Sequence, residues 1–289
     1  MNSYSPQQFS TLPPVIKNLL IINGLFFLAG MAFQHVYAID LNDYLGLHYP
    51  IASMFMPYQF FTYMFMHGGF SHLFFNMFAL WMFGNVLENM WGPKKFLFYY
   101  FFTGIGAALT HYAVFYFEIS PVMTAVDSYL AHPDLQAFTG FLNSEHFKIT
   151  SVDMQEHFNT FVQNYNELLK SDPKAALAGT IDFMYQYRED VLNAPVVVGA
   201  SGAVFGVLLA FGMMFPNSLI YLYFFIPVKA KWFVFIYGAI ELFSGVMSRP
   251  GDNVAHYAHL GGMVFGFALL YWWDQQHKKK FNDTNNFRL

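Results

Sequence analysis

The sequence predicts an all-α membrane protein: six transmembrane helices with a soluble, helical insertion between the third and the fourth. Three observations carry that class. Of the 289 residues 56% are hydrophobic and only 11% charged, against roughly a quarter charged in an ordinary soluble domain. Six apolar runs follow one another, on the scale of the ~20 residues that a hydrocarbon core of about 30 Å requires. Between the third and fourth runs the chain turns polar, with ten acidic and four basic residues over 119–195.

The same composition excludes other classes. A net charge of −4 offers no surface for nucleic acid. With no cysteine there is no disulfide, no thiol nucleophile and no thiolate metal site.

Taken in order, residues 1–14 carry no charge before Lys17, so they lack the basic start of a cleavable leader, and the first run, Leu19 to Val36, is expected to stay as a span. A polar connection around Asp40, Asn42, Asp43 and His48 follows. The second run begins at Phe60, passes through Met66-His67-Gly68-Gly69-Phe70-Ser71-His72 and ends at the turn Trp91-Gly92-Pro93-Lys94-Lys95. The third covers Phe96 to Phe117, and Glu118 closes it.

Within the insertion, Met154, Phe158, Phe161, Tyr165 and Leu168 share one helical face, with Thr150 and Asp153 placed as a capping box. Asp172-Pro173 marks the start of a second helix presenting Leu177, Ile181 and Met184. A helical hairpin is expected, packing as a spacer on the membrane domain. The fourth run goes from Pro195 to Phe215-Pro216, the fifth from Trp232 to Met247, and the sixth from His256 to Trp273, after a turn at Arg249-Pro250-Gly251-Asp252-Asn253. The expected organisation is a membrane domain of helices 1–3 over 1–118, an extracytoplasmic insertion over 119–195, helices 4–6 over 196–275 and a basic cytosolic tail over 276–289.

Lysines and arginines set the orientation. Lys17, Lys94, Lys95, Lys229, Lys231 and the tail (Lys278, Lys279, Lys280, Arg288) fall on one side, while the short opposite loops hold only Arg249. The positive-inside rule puts both termini in the cytosol and the insertion outside. The expected location is a bacterial inner (cell) membrane.

Spans two, four and six then run inwards, and their polar residues can be ranked by depth. Asn76, Ser201 and His259 lie 14 or 15 residues from the inner ends Trp91, Phe215 and Trp273, roughly 21–23 Å up at about 1.5 Å per residue. Polar side chains at such depth are costly unless paired or watered, and default to functional candidates. Gly199 and Gly202 strip side chains from both sides of Ser201, which opens its hydroxyl to close approach. A serine becomes a nucleophile when a base takes its proton, and the imidazole of His259 suits that role. Attack on a carbonyl also creates an oxyanion, for which the Ser201 backbone N–H, His72 and the Asn76 amide are available donors. Each residue has a plainer reading: small-residue helix packing for the glycine run, interhelical bonding for His259 and Asn76. Gly262 and Gly266 form a G-x-x-x-G face that would seat the last helix on the Gly202 and Gly206 face.

With these residues in view, the chain resembles the rhomboid family of intramembrane serine proteases. The family's G-x-S-G reads Gly199-Ala200-Ser201-Gly202, its H-x-x-x-N runs from His72 to Asn76, and its A-H-x-x-G reads Ala258-His259-Leu260-Gly261-Gly262. The resemblance implies a six-helix bundle, a Ser201 nucleophile, a His259 general base, and an oxyanion hole shared by His72, Asn76 and backbone N–H groups. It places Phe205 where an aromatic packs on the catalytic histidine, and gives His67 a structural role. It also implies transmembrane protein substrates in a lipid bilayer, no cofactor and no metal, with span five and the outer loop at 249–255 as gate and cap. Tyr58-Gln59 stands where the family has Trp-Arg, which is expected to alter the first outer loop at the membrane edge. Two rivals remain: a rhomboid-like binding protein that escorts membrane clients, and a metal or haem protein built on His67, His72, His256 and His259. Against the second, His67 and His72 are five apart, on different helical faces, with no carboxylate expected at similar depth.

Overall fold

The computed structural model describes residues 9–194, 196–222, 225–247 and 255–286. In chain order the helices are α1 (Pro14–Tyr37), α2 (Leu41–Leu45), α3 (Gln59–Thr62), α4 (Phe70–Ala79), α5 (Asn85–Trp91), α6 (Pro93–Ala131), α7 (Leu135–Leu142), α8 (Val152–Ser171), α9 (Pro173–Asn193), α10 (Ser201–Met214), α11 (Ala230–Val246) and α12 (His256–Asn286). A π-helical turn, Leu80–Gly84, joins α4 to α5. A short antiparallel hairpin of β1 (Leu219–Leu222) and β2 (Ile226–Lys229) links α10 to α11. Among the described residues two stretches have the length and apolarity of a membrane crossing, Pro14–Tyr37 and Phe70–Trp91; Ser201–Met214 is apolar but shorter.

The sequence places the first residue of the fourth run at Pro195, whereas α10 begins at Ser201. The residues before it stay out of the helix because the segment behind Ser201 is tied down by backbone bonds to other parts of the chain, with Val197 in an antiparallel bridge to Leu47. Leu47 and Val197 exchange N–H···O bonds of 2.9 and 3.0 Å, and Gly199 N–H donates to the Tyr63 carbonyl at 2.8 Å. Pro195, the turn at 249–253, residues 1–8, Arg288 and the side chain of Lys280 lie outside what the structure describes.

The core is built where α10 is clasped by α6 and α12. Small residues set the separations. A Cβ on Gly206 would strike Thr103 of α6, one on Gly212 would strike Val234 of α11, and one on Gly106 would strike Phe265 of α12. Around these contacts Phe96, Tyr99, Tyr100, Ala203, Val207 and Leu208 are buried. The expected seating of both Gly262 and Gly266 on the Gly202 and Gly206 face is half right. Gly262 meets Gly202, but Gly266 lies against Tyr99 and Thr103, which intervene before Gly206. Tyr99 donates its hydroxyl to the Gly206 carbonyl at 2.9 Å.

At the start of α1, the buried carboxylate of Glu88 accepts the backbone N–H groups of Val15 and Ile16 at 2.9 and 2.8 Å. These are the first N–H groups of α1, which lack helical acceptors, and an anion there also opposes the helix dipole.

The helix of the third run differs from expectation at its C-terminal end. The helix that begins at Pro93 does not stop at Glu118; α6 runs for 39 residues through Pro121 to Ala131, about 58 Å. Packing of Ile119, Val126 and Tyr129 outweighs the local breaking tendency of Pro121. Its C-terminal end joins α7 and the α8–α9 hairpin around a separate aromatic core, in which Phe161 and Phe183 stack with centroids 4.4 Å apart. The cap of α8 is Ser151, whose hydroxyl accepts from Met154 N–H at 3.1 Å, and not Thr150. The buried face of α9 is Ala176, Thr180, Phe183, Met184 and Tyr187; Leu177 and Ile181 flank it. A small cluster of Ala52, Ile119 and Leu192 connects this unit to the loop between α2 and α3.

That loop is organised by Gln59. Its side chain is fully buried and donates to the carbonyls of Tyr44 (3.1 Å) and Met54 (3.0 Å) while accepting from His48 N–H (3.2 Å) and Met56 N–H (3.1 Å). Gln59 therefore acts inside the loop, whereas the expectation for Tyr58-Gln59 concerned its membrane edge. Gln59 pairs three backbone groups that a turn-rich loop would otherwise leave without a partner, and shares the Tyr44 carbonyl with the Tyr58 hydroxyl at 3.2 Å.

Candidate active site

Ser201 is the first residue of α10, and its position follows from the glycine before the helix. Gly199 has φ +123°, a conformation that L side chains rarely adopt, and the turn it makes aims the chain into the helix. The space a Cβ would take at Gly199 is filled by the His72 ring, 2.7 Å away. No side chain caps α10, so the N–H groups of its first turn point free of helical acceptors towards the start of the helix.

His259 reaches Ser201 from the first turn of α12. Its Nε2 lies 2.8 Å from Ser201 Oγ. The imidazole is stacked on Phe205, centroids 4.3 Å apart and planes 5° from parallel, and Phe205 in turn contacts Tyr237 of α11 at 5.0 Å. The α10–α12 approach that permits this is at the backbone: a Cβ on Gly262 would collide with the Gly202 carbonyl oxygen.

On the other side of Ser201, α4 supplies His72 and Asn76. Asn76 is buried, and its Nδ2 has no acceptor among the described residues. His67 and His72 meet edge to face with centroids 5.0 Å apart. The expectation that they point to different faces fails because Gly68 and Gly69 precede the helix, which starts at Phe70; helical spacing does not apply across that turn.

One residue was missed in the sequence. Glu241, on α11, is buried, and its Oε2 lies 2.8 Å from His259 Nδ1 and 2.7 Å from His256 Nδ1. Its signal was present: it is the lone charged residue between Trp232 and Met247, and an ionisable group inside an apolar span is a functional flag. The expectation of no carboxylate near these histidines is thereby corrected.

A serine hydroxyl on an imidazole nitrogen, a buried amide donor on α4 and the open start of a helix are the parts that acyl transfer uses. The Rhomboid domain family model matches residues 55–123 and 175–274, more than half of the chain and every residue of this site. The chain belongs to the rhomboid family. The rhomboid match is interrupted over 124–174, within the insertion, and resumes in α9. A relative is Rhomboid protein 1, mitochondrial, of Saccharomyces cerevisiae (strain ATCC 204508 / S288c), 38% identical over 76 residues. That match covers 26% of this chain and 21% of the yeast rhomboid, so the chain aligns with about a fifth of its relative's length.

Proposed function

We propose that this rhomboid-family chain is an intramembrane serine endopeptidase that cuts transmembrane protein substrates in or near their spanning segments through a Ser201–His259 dyad. The observation that carries the reading is the 2.8 Å contact between Ser201 Oγ and His259 Nε2, in a chain that belongs to the rhomboid family. Ser201 attacks the scissile carbonyl as its hydroxyl proton passes to His259 Nε2. The oxyanion accepts from the Ser201 backbone N–H, Asn76 Nδ2 and His72. The imidazolium then protonates the leaving amine, and the acyl-enzyme is released by water with His259 again acting as base.

The membrane domain is read as six spans with both termini cytosolic, from the lysine and arginine distribution. The site then lies below the outer surface, and the insertion is extracytoplasmic. A substrate helix hides its peptide bonds, so segments that unwind readily are the favoured class. Phe205 buttresses the base, Gly199 and Gly202 clear the approach to Ser201, and Gly262 and Gly266 seat α12.

The test is labelling by a fluorophosphonate probe in detergent or liposomes. The wild type is expected to label and Ser201→Ala not to; labelling that survives in Ser201→Ala removes Ser201 as the nucleophile.

A further inference from the structure

We infer that Glu241 is a positioning residue for His259, so that the site works as a Ser201–His259–Glu241 triad assembled from three helices. The inference rests on the reading of Ser201 as nucleophile and His259 as its base. Three features support it. His259 uses both ring nitrogens in one line, Nε2 to Ser201 Oγ at 2.8 Å and Nδ1 to Glu241 Oε2 at 2.8 Å. Glu241 and His259 are both at most 9% exposed. His256, one turn before His259, places its own Nδ1 2.7 Å from the same Oε2.

The chemistry follows from what a carboxylate can do. An ionised carboxylate only accepts, so the Nδ1 facing it carries the proton, and Nε2 is left with the lone pair that must take the serine proton. Without that partner the imidazole can adopt the other tautomer, with Nε2–H facing Ser201, which cannot act as base. When Ser201 attacks, its proton moves to Nε2, Nδ1 keeps its own proton, and Glu241 stays ionised beside the imidazolium. His256 fixes the carboxylate in turn, the usual arrangement of an outer partner orienting a group that orients another.

The same three side chains also have ligand atoms within 4.8 Å of one another, as a cation site would. The distances favour the hydrogen-bonded reading. Both imidazole nitrogens sit at 2.7–2.8 Å from one oxygen, the length of a charge-assisted N–H···O bond. A cation bound there would take the Nδ1 atoms that these bonds use.

The experiment uses the full chain in liposomes and compares wild type, Glu241→Gln and Ser201→Ala by three measurements. These are kcat and KM on a model transmembrane substrate, fluorophosphonate labelling rate, and metal content of the purified protein. Glutamine matches the size of glutamate but can donate to Nδ1 and so favours the wrong tautomer. Glu241→Gln is expected to lower kcat and labelling by about 10²- to 10⁴-fold at nearly unchanged KM. A fall of less than about tenfold, with Ser201→Ala inactive, overturns the triad and leaves the dyad standing. Labelling that persists in Ser201→Ala overturns the underlying reading instead. Stoichiometric metal lost in Glu241→Gln also overturns the triad. Should the variant not fold, ¹⁵N-histidine NMR of the wild type decides: a His259 ring with Nδ1–H and an unprotonated Nε2 supports the triad, and the opposite tautomer overturns it.

Discussion

Gly262 of α12 lies so close to the carbonyl oxygen of Gly202 that a single methyl group at position 262 would occupy the same space. His259 stands three residues earlier on α12, and Gly202 directly follows Ser201. The contact that holds the two helices together therefore also sets the reach from base to nucleophile.

Gly262→Ala should push α12 away from α10. Overpacking of this kind costs about 1–3 kcal/mol, and a misplacement of about 1 Å at a reacting centre can cost ~10²-fold in rate. Fluorophosphonate labelling is expected to fall by about that factor with a lowered Tm. Gly140→Ala on α7, where the added carbon meets nothing within 4 Å beyond its own helix backbone, should leave labelling unchanged.

Gly199→Ala meets two obstacles, the φ of +123° and the His72 ring. A residue held in such backbone space costs about 1–3 kcal/mol, and displacement of His72 removes a proposed oxyanion donor. The expected kcat is lower by about 10²- to 10³-fold. Near-normal turnover of a model substrate would show that neither the turn nor the ring position matters.

Asn76→Ala should separate activity from stability. Its Nδ2 is a buried donor without an acceptor, and removing such a group relieves a penalty of about 1–3 kcal/mol that offsets the lost packing. Thermal unfolding is expected to shift little, while kcat falls by about 10²- to 10³-fold. A large drop in Tm with intact kcat would assign Asn76 to the fold rather than to the oxyanion.

Deleting residues 125–190 behind a short linker should leave cleavage measurable. The aromatic core of the insertion is separate from that of the membrane domain, and the connecting cluster of Ala52, Ile119 and Leu192 lies outside the deletion. Asn193, which donates to Ser53 Oγ at 3.1 Å and accepts from Met54 N–H at 3.2 Å, is also retained. Complete loss of cleavage in a folded variant would give the insertion a part in the reaction.

Gln59→Leu should destabilise without touching the site. It leaves the Met54 carbonyl and the His48 and Met56 N–H groups without their partner, while the Tyr44 carbonyl keeps the Tyr58 hydroxyl at 3.2 Å, at about 1–3 kcal/mol for each unpaired group that water does not reach. Proteolysis within residues 44–56 is the measurement, with faster nicking expected than in wild type.

By itself the sequence determined the helical class, the polar insertion and the residues Ser201, His259, His72 and Asn76 as one set. Apolar run length and local motif spacing are properties of neighbouring residues, and a polar group in an apolar run stands out on a line of text. Helix ends were less legible. The sequence closes the third run at Glu118, but packing of Ile119 and Val126 carries the helix past it and through Pro121, and the non-helical segment before Ser201 depends on backbone bonds to Leu47 and Tyr63, which are remote in sequence. Only the tertiary structure decided that Glu241 faces His259 and His256, that Gly266 rests on Tyr99 rather than on Gly206, and that His67 touches His72. Each of these is a distance across two elements, set by how closely small residues let the helices approach, and no local pattern encodes that separation.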